Sequence, residues 1–286
     1  MTAGAQQDWL YTMQALNLYD GNAAAAGMYE RNALHLRYRH QWLGTEGAPQ
    51  TLQATWHTAL GAKLGWGVRM NAERIGAFDR SQAVTHLAYR LQLRKSELRF
   101  ALGGGVGYER LATDRMNILD ADDAVLSGDL DQLDPLAQFA FMWRSKRLFI
   151  GAEVNQWFSS ERSWGTVRTS GRTREALVMA GSMHALNNDW SLRPMLAARW
   201  SDAGAFLPEA QLGAWWRETF WFGAGYRWDA AAYGFAEYRY RGKIRLAYSF
   251  GVPVNTIANP SQHELMIGLL WGGNRRRTVA SSTYFQ

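Results

Sequence analysis

From Leu34 to Trp271 the apolar residues of this chain recur at every second position, and the rhythm never gives way to a helical one. Leu265, Ile267 and Leu269 alternate with Met266 and Gly268 ahead of Trp271, and Ile244, Leu246, Tyr248 and Phe250 alternate with Arg245, Ala247 and Ser249. A period of two is that of an extended strand with one apolar and one mixed face. About 14 such segments, at roughly 20 residues each with their connections, match the spacing of an outer-membrane barrel.

Composition agrees once it is read strand by strand. Mean hydropathy is −0.32, and no stretch approaches the ~18 consecutive apolar residues of a spanning helix. A barrel escapes that test, because only alternate residues meet lipid. The 14 Trp, 12 Tyr and 12 Phe suit a membrane interface, where amphipathic rings sit at headgroup level; a soluble β-sandwich rarely needs so many tryptophans. The absence of Cys excludes disulfides and thiolate metal sites. A net charge of +6 and a pI near 9.6 raise the question of nucleic acid, but the basic residues lie singly along strands instead of in a patch, so no nucleic-acid partner is expected. Met1 to Gln7 is small and polar, without the apolar core of a signal peptide, so the chain is read as a mature or expressed form.

The pattern predicts strands near 33–42, 50–60, 64–74, 82–93, 97–110, 135–144, 147–157, 174–185, 190–200, 207–216, 219–228, 232–240, 243–250 and 262–272. Long connections, such as 44–49, 75–81, 111–134, 158–173 and 251–261, alternate with short ones, such as 61–63, 94–96, 145–146, 217–218 and 241–242. That alternation belongs to transmembrane barrels with an even strand count, short periplasmic turns and longer outer loops. The expected fold is therefore all-β: an antiparallel up-and-down transmembrane barrel of about 14 strands, with both termini periplasmic. Its parts are a periplasmic segment 1–32, the barrel 33–272 and a basic tail 273–286.

Alternation also assigns the faces. Leu36, Tyr38, Trp42, Trp56, Trp66, Trp143, Ile150, Trp200, Leu246, Tyr248, Leu265, Ile267, Leu269 and Trp271 are expected to face the lipid bilayer. Arg37, Arg39, Arg69, Glu73, Arg99, Glu109, Glu153, Arg193, Arg199, Glu209, Arg227, Glu237, Arg239 and Arg245 are expected to face the lumen. An arginine facing lipid at the midplane would cost about 2–4 kcal/mol. His40 and the segment 175–186 fit the alternation badly. The inward charges have two readings: a paired network that fills a narrow lumen, or a ring of arginines that selects small anionic solutes. The paired network is the simpler.

Other candidate sites are weaker. His35, His40, His57, His86, His184 and His263 are dispersed without ligand spacing, so no metal site is expected. The carboxylates Asp120, Asp122, Asp123, Asp129, Asp131 and Asp134 lack the order of an EF-hand loop, and a solvated loop is the better reading. Ser182 with His184 and Ser261 with His263 share strand faces but do not converge on a reacting atom, so no catalysis and no cofactor are expected. Gly103, Gly104, Gly105 and Gly107 lie inside a strand, where they mark a bend or a close approach instead of a nucleotide loop. The run Arg275-Arg276-Arg277 reads as a basic tail with a weaker claim on an acidic partner. The segment Trp9 to Tyr29, with Leu10, Met13, Leu16 and Leu18, is expected to pack into the barrel mouth from the periplasmic side, with partner contact as the lesser role.

Words as well as rhythm stand at the two ends of the chain. Asp20-Gly21-Asn22-Ala23-Ala24-Ala25-Ala26-Gly27 leads into Arg39-His40-Gln41-Trp42 and then Pro49-Gln50-Thr51, while Ser261-Gln262-His263-Glu264-Leu265 opens the last strand. This order resembles the PorP/SprF family of type IX secretion outer-membrane proteins, with its N-P-A-x-A-G element, R-x-Q-W strand end, P-x-T start and S-x-H-E-L final opening. Ala23 departs from it by replacing the usual proline. The resemblance spans essentially the whole chain. It implies a non-catalytic accessory barrel that binds or retains secreted cargo, gliding adhesins included, at the cell surface. The implied partners are the cargo's C-terminal signal domain and type IX envelope components.

Overall fold

The computed structural model describes residues 11–116, 130–157, 161–164, 167–170, 174–202, 204–254 and 261–272. The first seven strands are β1 (Asn32–Gln41), β2 (Gln50–Leu60), β3 (Leu64–Ile75), β4 (Phe78–Gln92), β5 (Ser96–Leu111), β6 (Leu130–Ser145) and β7 (Leu148–Val154). A small separate hairpin, β8 (Glu161–Trp164) with β9 (Val167–Ser170), interrupts the next connection. Then come β10 (Glu175–Ser182), the two-residue β11 (His184–Ala185), β12 (Trp190–Ser201) and β13 (Phe206–Trp216). The last four are β14 (Phe220–Arg227), β15 (Ala231–Tyr240), β16 (Ile244–Pro253) and β17 (Gln262–Trp271).

Every pairing is antiparallel, β1 pairs with β17, and β10 pairs with both β7 and β12, so the sheet closes on itself. β10 and β11 both pair with β12 and act as one stave broken at Met183, which gives a closed barrel of 14 strands. That break explains why 175–186 fits the alternation poorly. Closure removes the sheet edges that would otherwise leave backbone groups unpaired in lipid.

Three connections differ from the expectation. The loop assigned to 75–81 is a two-residue turn, 76–77, with Gly76 at φ +56, because β4 starts at Phe78. β6 starts at Leu130 instead of 135, and the connection after β7 carries a hairpin. β4 and β6 begin with mixed residues (Asp79, Arg80, Asp131, Gln132), so their first turns carry no apolar alternation. They are nonetheless paired to β5 out to Phe78–Leu111 and Leu130–Leu111. Asp120, Asp122, Asp123 and Asp129, and the tail with Arg275, Arg276 and Arg277, lie outside the described residues.

On the outer wall, Leu36, Leu52, Met70, Leu87, Leu102, Ile150, Leu196, Leu212, Leu246 and Ile267 are exposed. This aliphatic band is bordered by rings at both ends, with Trp66, Tyr89, Tyr238, Tyr240 and Trp271 at one and Trp42, Trp200, Tyr226, Trp228 and Phe250 at the other. Ile267→Arg, in the middle of the band, is expected to cost about 2–4 kcal/mol, read as a lower midpoint for unfolding from lipid vesicles. The same change in the turn at Thr219 should leave the midpoint unmoved.

Candidate functional site

The interior is the informative part of the molecule. Residues 11–29, expected at the mouth, run inside the lumen: Thr12, Met13, Asn17, Asn22, Ala24 and Ala26 have no exposed surface. Tyr11 lies by the long-loop end, where its carbonyl accepts from Arg227, the last residue of β14. Glu30 pairs with Arg90 near the opposite, short-turn end, just before β1 begins. The segment therefore traverses the lumen from one end to the other. It folds locally into two 3-10 turns, Gln14–Leu16 and Ala23–Ala25, and one helical turn, α1 (Leu18–Gly21). The Asn17 side chain accepts from the Tyr19 amide and that of Asn22 from the Ala24 amide, so α1 and the second 3-10 turn each have a side-chain N-cap.

A buried segment with so little regular structure leaves carbonyls and amides without intrinsic partners. Barrel side chains supply them. Arg99 Nε donates to the Ala24 carbonyl at 2.6 Å and its Nη2 to that of Ala26, Arg69 donates to the Tyr19 carbonyl, and Arg245 to that of Leu16. Gln211 donates to the Thr12 carbonyl at 2.8 Å. In the other direction the Gly27 amide donates to His57 at 3.1 Å, the Thr12 amide to Glu264 at 3.0 Å, and the Ala23 amide to the Glu153 carboxylate. Asn22 Nδ2 reaches two barrel carbonyls, Phe141 at 3.0 Å and Ala152 at 3.1 Å. Tyr19 meets His86 at 2.7 Å, and Asn17 meets His35 at 3.2 Å. The bonds made by the arginines and by Glu153 and Glu264 are charge-assisted, roughly twice as strong as the neutral ones.

Each arginine that serves the segment is also tied to a carboxylate. Arg69 pairs with Glu153 at 2.7 Å, Arg245 with Glu237 at 2.7 Å, Arg227 with Glu209 at 2.6 Å, and Arg99 with Glu97 at 3.4 Å. Arg37 lies between Asp20 of the segment and Glu264, the latter at 3.2 Å, with the Tyr11 ring 4.5 Å away. Arg199 pairs with Glu175 and Arg239 with Glu237, while Arg80 pairs with Glu109. Arg39 donates to Gln41, Glu73 accepts from Thr51, and Arg193 lies over the Trp221 ring. The 14 inward charges read from the alternation are thus all on the inner side, and all but the half-buried Arg239 are buried. Arg245, Glu264 and His57 have no exposed surface and Glu237, Arg37 and Glu153 are 2 % exposed, so among the described residues the mid-lumen charges are closed off from solvent.

Sequence reasoning missed the partners that make room. A Cβ on Gly67 would lie 2.4 Å from the Tyr19 hydroxyl, one on Gly65 would lie 2.1 Å from the Ala26 carbonyl, and one on Gly151 would lie 2.7 Å from the Asn22 amide. Small residues at inward parity in otherwise bulky strands were the available signal. Gly103 behaves alike, against His86 at 2.5 Å, whereas Gly104 faces open space. Gly67→Leu is expected to expel or misplace the segment and destabilise the barrel by at least the 1–3 kcal/mol typical of overpacking. Gly104→Leu, on the outer wall, should be near neutral in the same unfolding assay.

Of the Ser–His pairs, Ser182 and His184 are hydrogen-bonded at 2.9 Å on exposed surface, and His263 bonds Tyr248 at 2.7 Å. Neither histidine has a carboxylate partner among these contacts to orient it as a base. Among the described residues no three His, Asp or Glu side chains come together as metal ligands.

The comparisons with known proteins place this architecture. A family model described as type IX secretion system membrane protein PorP/SprF matches residues 3–269. The chain belongs to the PorP/SprF family. It is an outer-membrane β-barrel and a component of type IX secretion. No curated protein matches it by sequence. Among solved structures it is similar to the CymD monoaromatic hydrocarbon channel, at 12% identity and a TM-score of 0.52, over 91% of this chain and 92% of that one. It is also similar to the P. putida toluene transporter TodX, at 10% identity and a TM-score of 0.50, over 93% and 95% of the two chains. Likeness at this level establishes the fold and no more.

The words that carry the PorP/SprF resemblance turn out to hold the luminal segment. Asn22 anchors it to β6 and β7, and Glu264 of the final-strand opening binds Thr12 and faces Arg37. Gly27 adopts φ +71 with its Cβ position 2.8 Å from the Thr58 carbonyl, which only glycine accommodates. Ala23, where the family usually has proline, gives the Glu153 carboxylate an N–H that proline lacks.

Proposed function

We propose that this PorP/SprF barrel is a non-catalytic, non-conducting accessory of type IX secretion. It binds or retains secreted cargo at the cell surface through the cargo's C-terminal signal domain, with type IX envelope components as further partners. The observation that carries this reading is the lumen occupied by the chain's own residues 11–29. A barrel filled in this way offers partners its rims and outer wall, and its inward arginines are engaged with backbone carbonyls and carboxylates.

Affinity capture of the full chain from native outer membrane in mild detergent, followed by mass spectrometry, tests it. Stoichiometric recovery of a secreted protein's C-terminal domain is the expected result. A clean barrel without such a partner would sink the proposal. The competing function is a channel for small anionic solutes lined by the inward Arg69, Arg99 and Arg227. It requires steady conductance by the full chain that changes when those arginines are neutralised.

A further inference from the structure

The six turns at the short-turn end are 61–63, 93–95, 146–147, 186–189, 217–219 and 241–243. Together they hold eight basic residues against two acidic ones, Asp189 and Glu218, a net of +6 that equals the formal net charge of the whole chain. At the other end the described connections, the β8–β9 hairpin included, hold Glu46, Asp114, Glu161, Asp202 and Asp229 against Arg115, Arg162, Arg168 and Arg174. The charge is therefore polarised along the barrel axis. The basic side chains of the turns are exposed, and among the described residues Arg217, at 3.1 Å from Asp189, is the one with an acidic partner.

Their placement identifies what they meet. Trp66 follows Lys63 by three residues, Tyr240 directly precedes Arg241, and Trp216 directly precedes Arg217, whose guanidinium lies 5.1 Å from that ring. At about 3.3 Å per strand residue, each cation lies within a side chain's reach of the aromatic girdle, which sits at headgroup depth. The cations also recur around the circumference, in five of the six turns, on both sides of the barrel. A docked protein covers one arc of a rim, whereas a lipid leaflet surrounds it.

We propose that the short-turn rim is a binding surface for anionic phospholipid headgroups of the leaflet that meets it. Basic side chains at a membrane surface gain from its negative potential, and the gain falls with ionic strength.

The test is native mass spectrometry of the full chain from mixed micelles holding equimolar phosphatidylglycerol and phosphatidylcholine. The wild type should retain phosphatidylglycerol several-fold over phosphatidylcholine, with the preference shrinking as salt rises. Two triple variants on opposite arcs, K63Q/R94Q/K95Q and R217Q/R241Q/K243Q, should each lose a comparable part of it, and their combination nearly all. An unboiled gel reports whether each variant is folded, and the salt series on the wild type stands without them. No preference in the wild type would overturn the proposal. So would a preference that salt or the variants leave unchanged, or a loss confined to one arc, which would indicate a one-sided protein dock.

Discussion

A chain lacking residues 11–29 is expected to conduct ions in a planar bilayer in discrete steps, and the full chain to be silent. The expectation follows from what the segment does inside the barrel. It buries the mid-lumen charges so completely that Arg245 and Glu264 have no exposed surface. Removing it does not strand those groups in a dry interior, because water enters with its removal and solvates them. The strand pairings, β1 with β17 included, do not involve the segment and keep the barrel closed. The open lumen would be lined by Arg37, Arg69, Arg99 and Arg245 among others, and its ion selectivity would then be measurable. A deletion variant that runs as a folded barrel on an unboiled gel yet stays silent would refute the occlusion argument.

Glu153→Ala is the second large effect, a loss of about 3–5 kcal/mol in unfolding free energy. Glu153 is 2 % exposed, pairs with Arg69 at 2.7 Å, and accepts from the Ala23 amide of the segment. Its removal leaves an unpaired guanidinium and an unpaired N–H in a place water does not reach. Glu153→Gln keeps an acceptor for the amide and should lose less. In the chain lacking residues 11–29, where Arg69 is hydrated, the Glu153→Ala penalty should shrink to near the surface value of about 0–1 kcal/mol. Denaturant unfolding of the four combinations measures the coupling directly. Equal penalties with and without the segment would show that Glu153 acts on the barrel wall alone.

Strand rhythm and face were legible because they are local. A period of two needs neighbours within a few residues, and the low cost of a polar side chain in the lumen against its high cost in lipid orients every strand the same way. So Leu36 and Ile267 are exposed outside, Arg37 and Arg245 buried inside. Strand ends were less legible. Beyond the lipid both faces of β4 and β6 are polar, and Asp79 or Gln132 carries no sign of its partner. The break at Met183 shows in the sequence only as the poor alternation of 175–186, since its position depends on how β12 is shared between β10 and β11.

The content of the lumen was decided by the tertiary structure alone. Residues 11–29 have no period, and the apolar Met13, Leu16 and Leu18 suit a barrel mouth as well as a barrel interior. What places them inside is a set of partners remote in sequence: Ala23 with Glu153, Asn22 with the carbonyls of Phe141 and Ala152, Thr12 with Glu264. Backbone groups of an irregular segment can be buried only where donors and acceptors converge on them from several strands at once. The sequence by itself determined a 14-strand wall with charge inside and apolar surface outside. That those charges hold a segment of the same chain, and not water or solute, depends on barrel closure bringing β3, β5, β7, β16 and β17 around it.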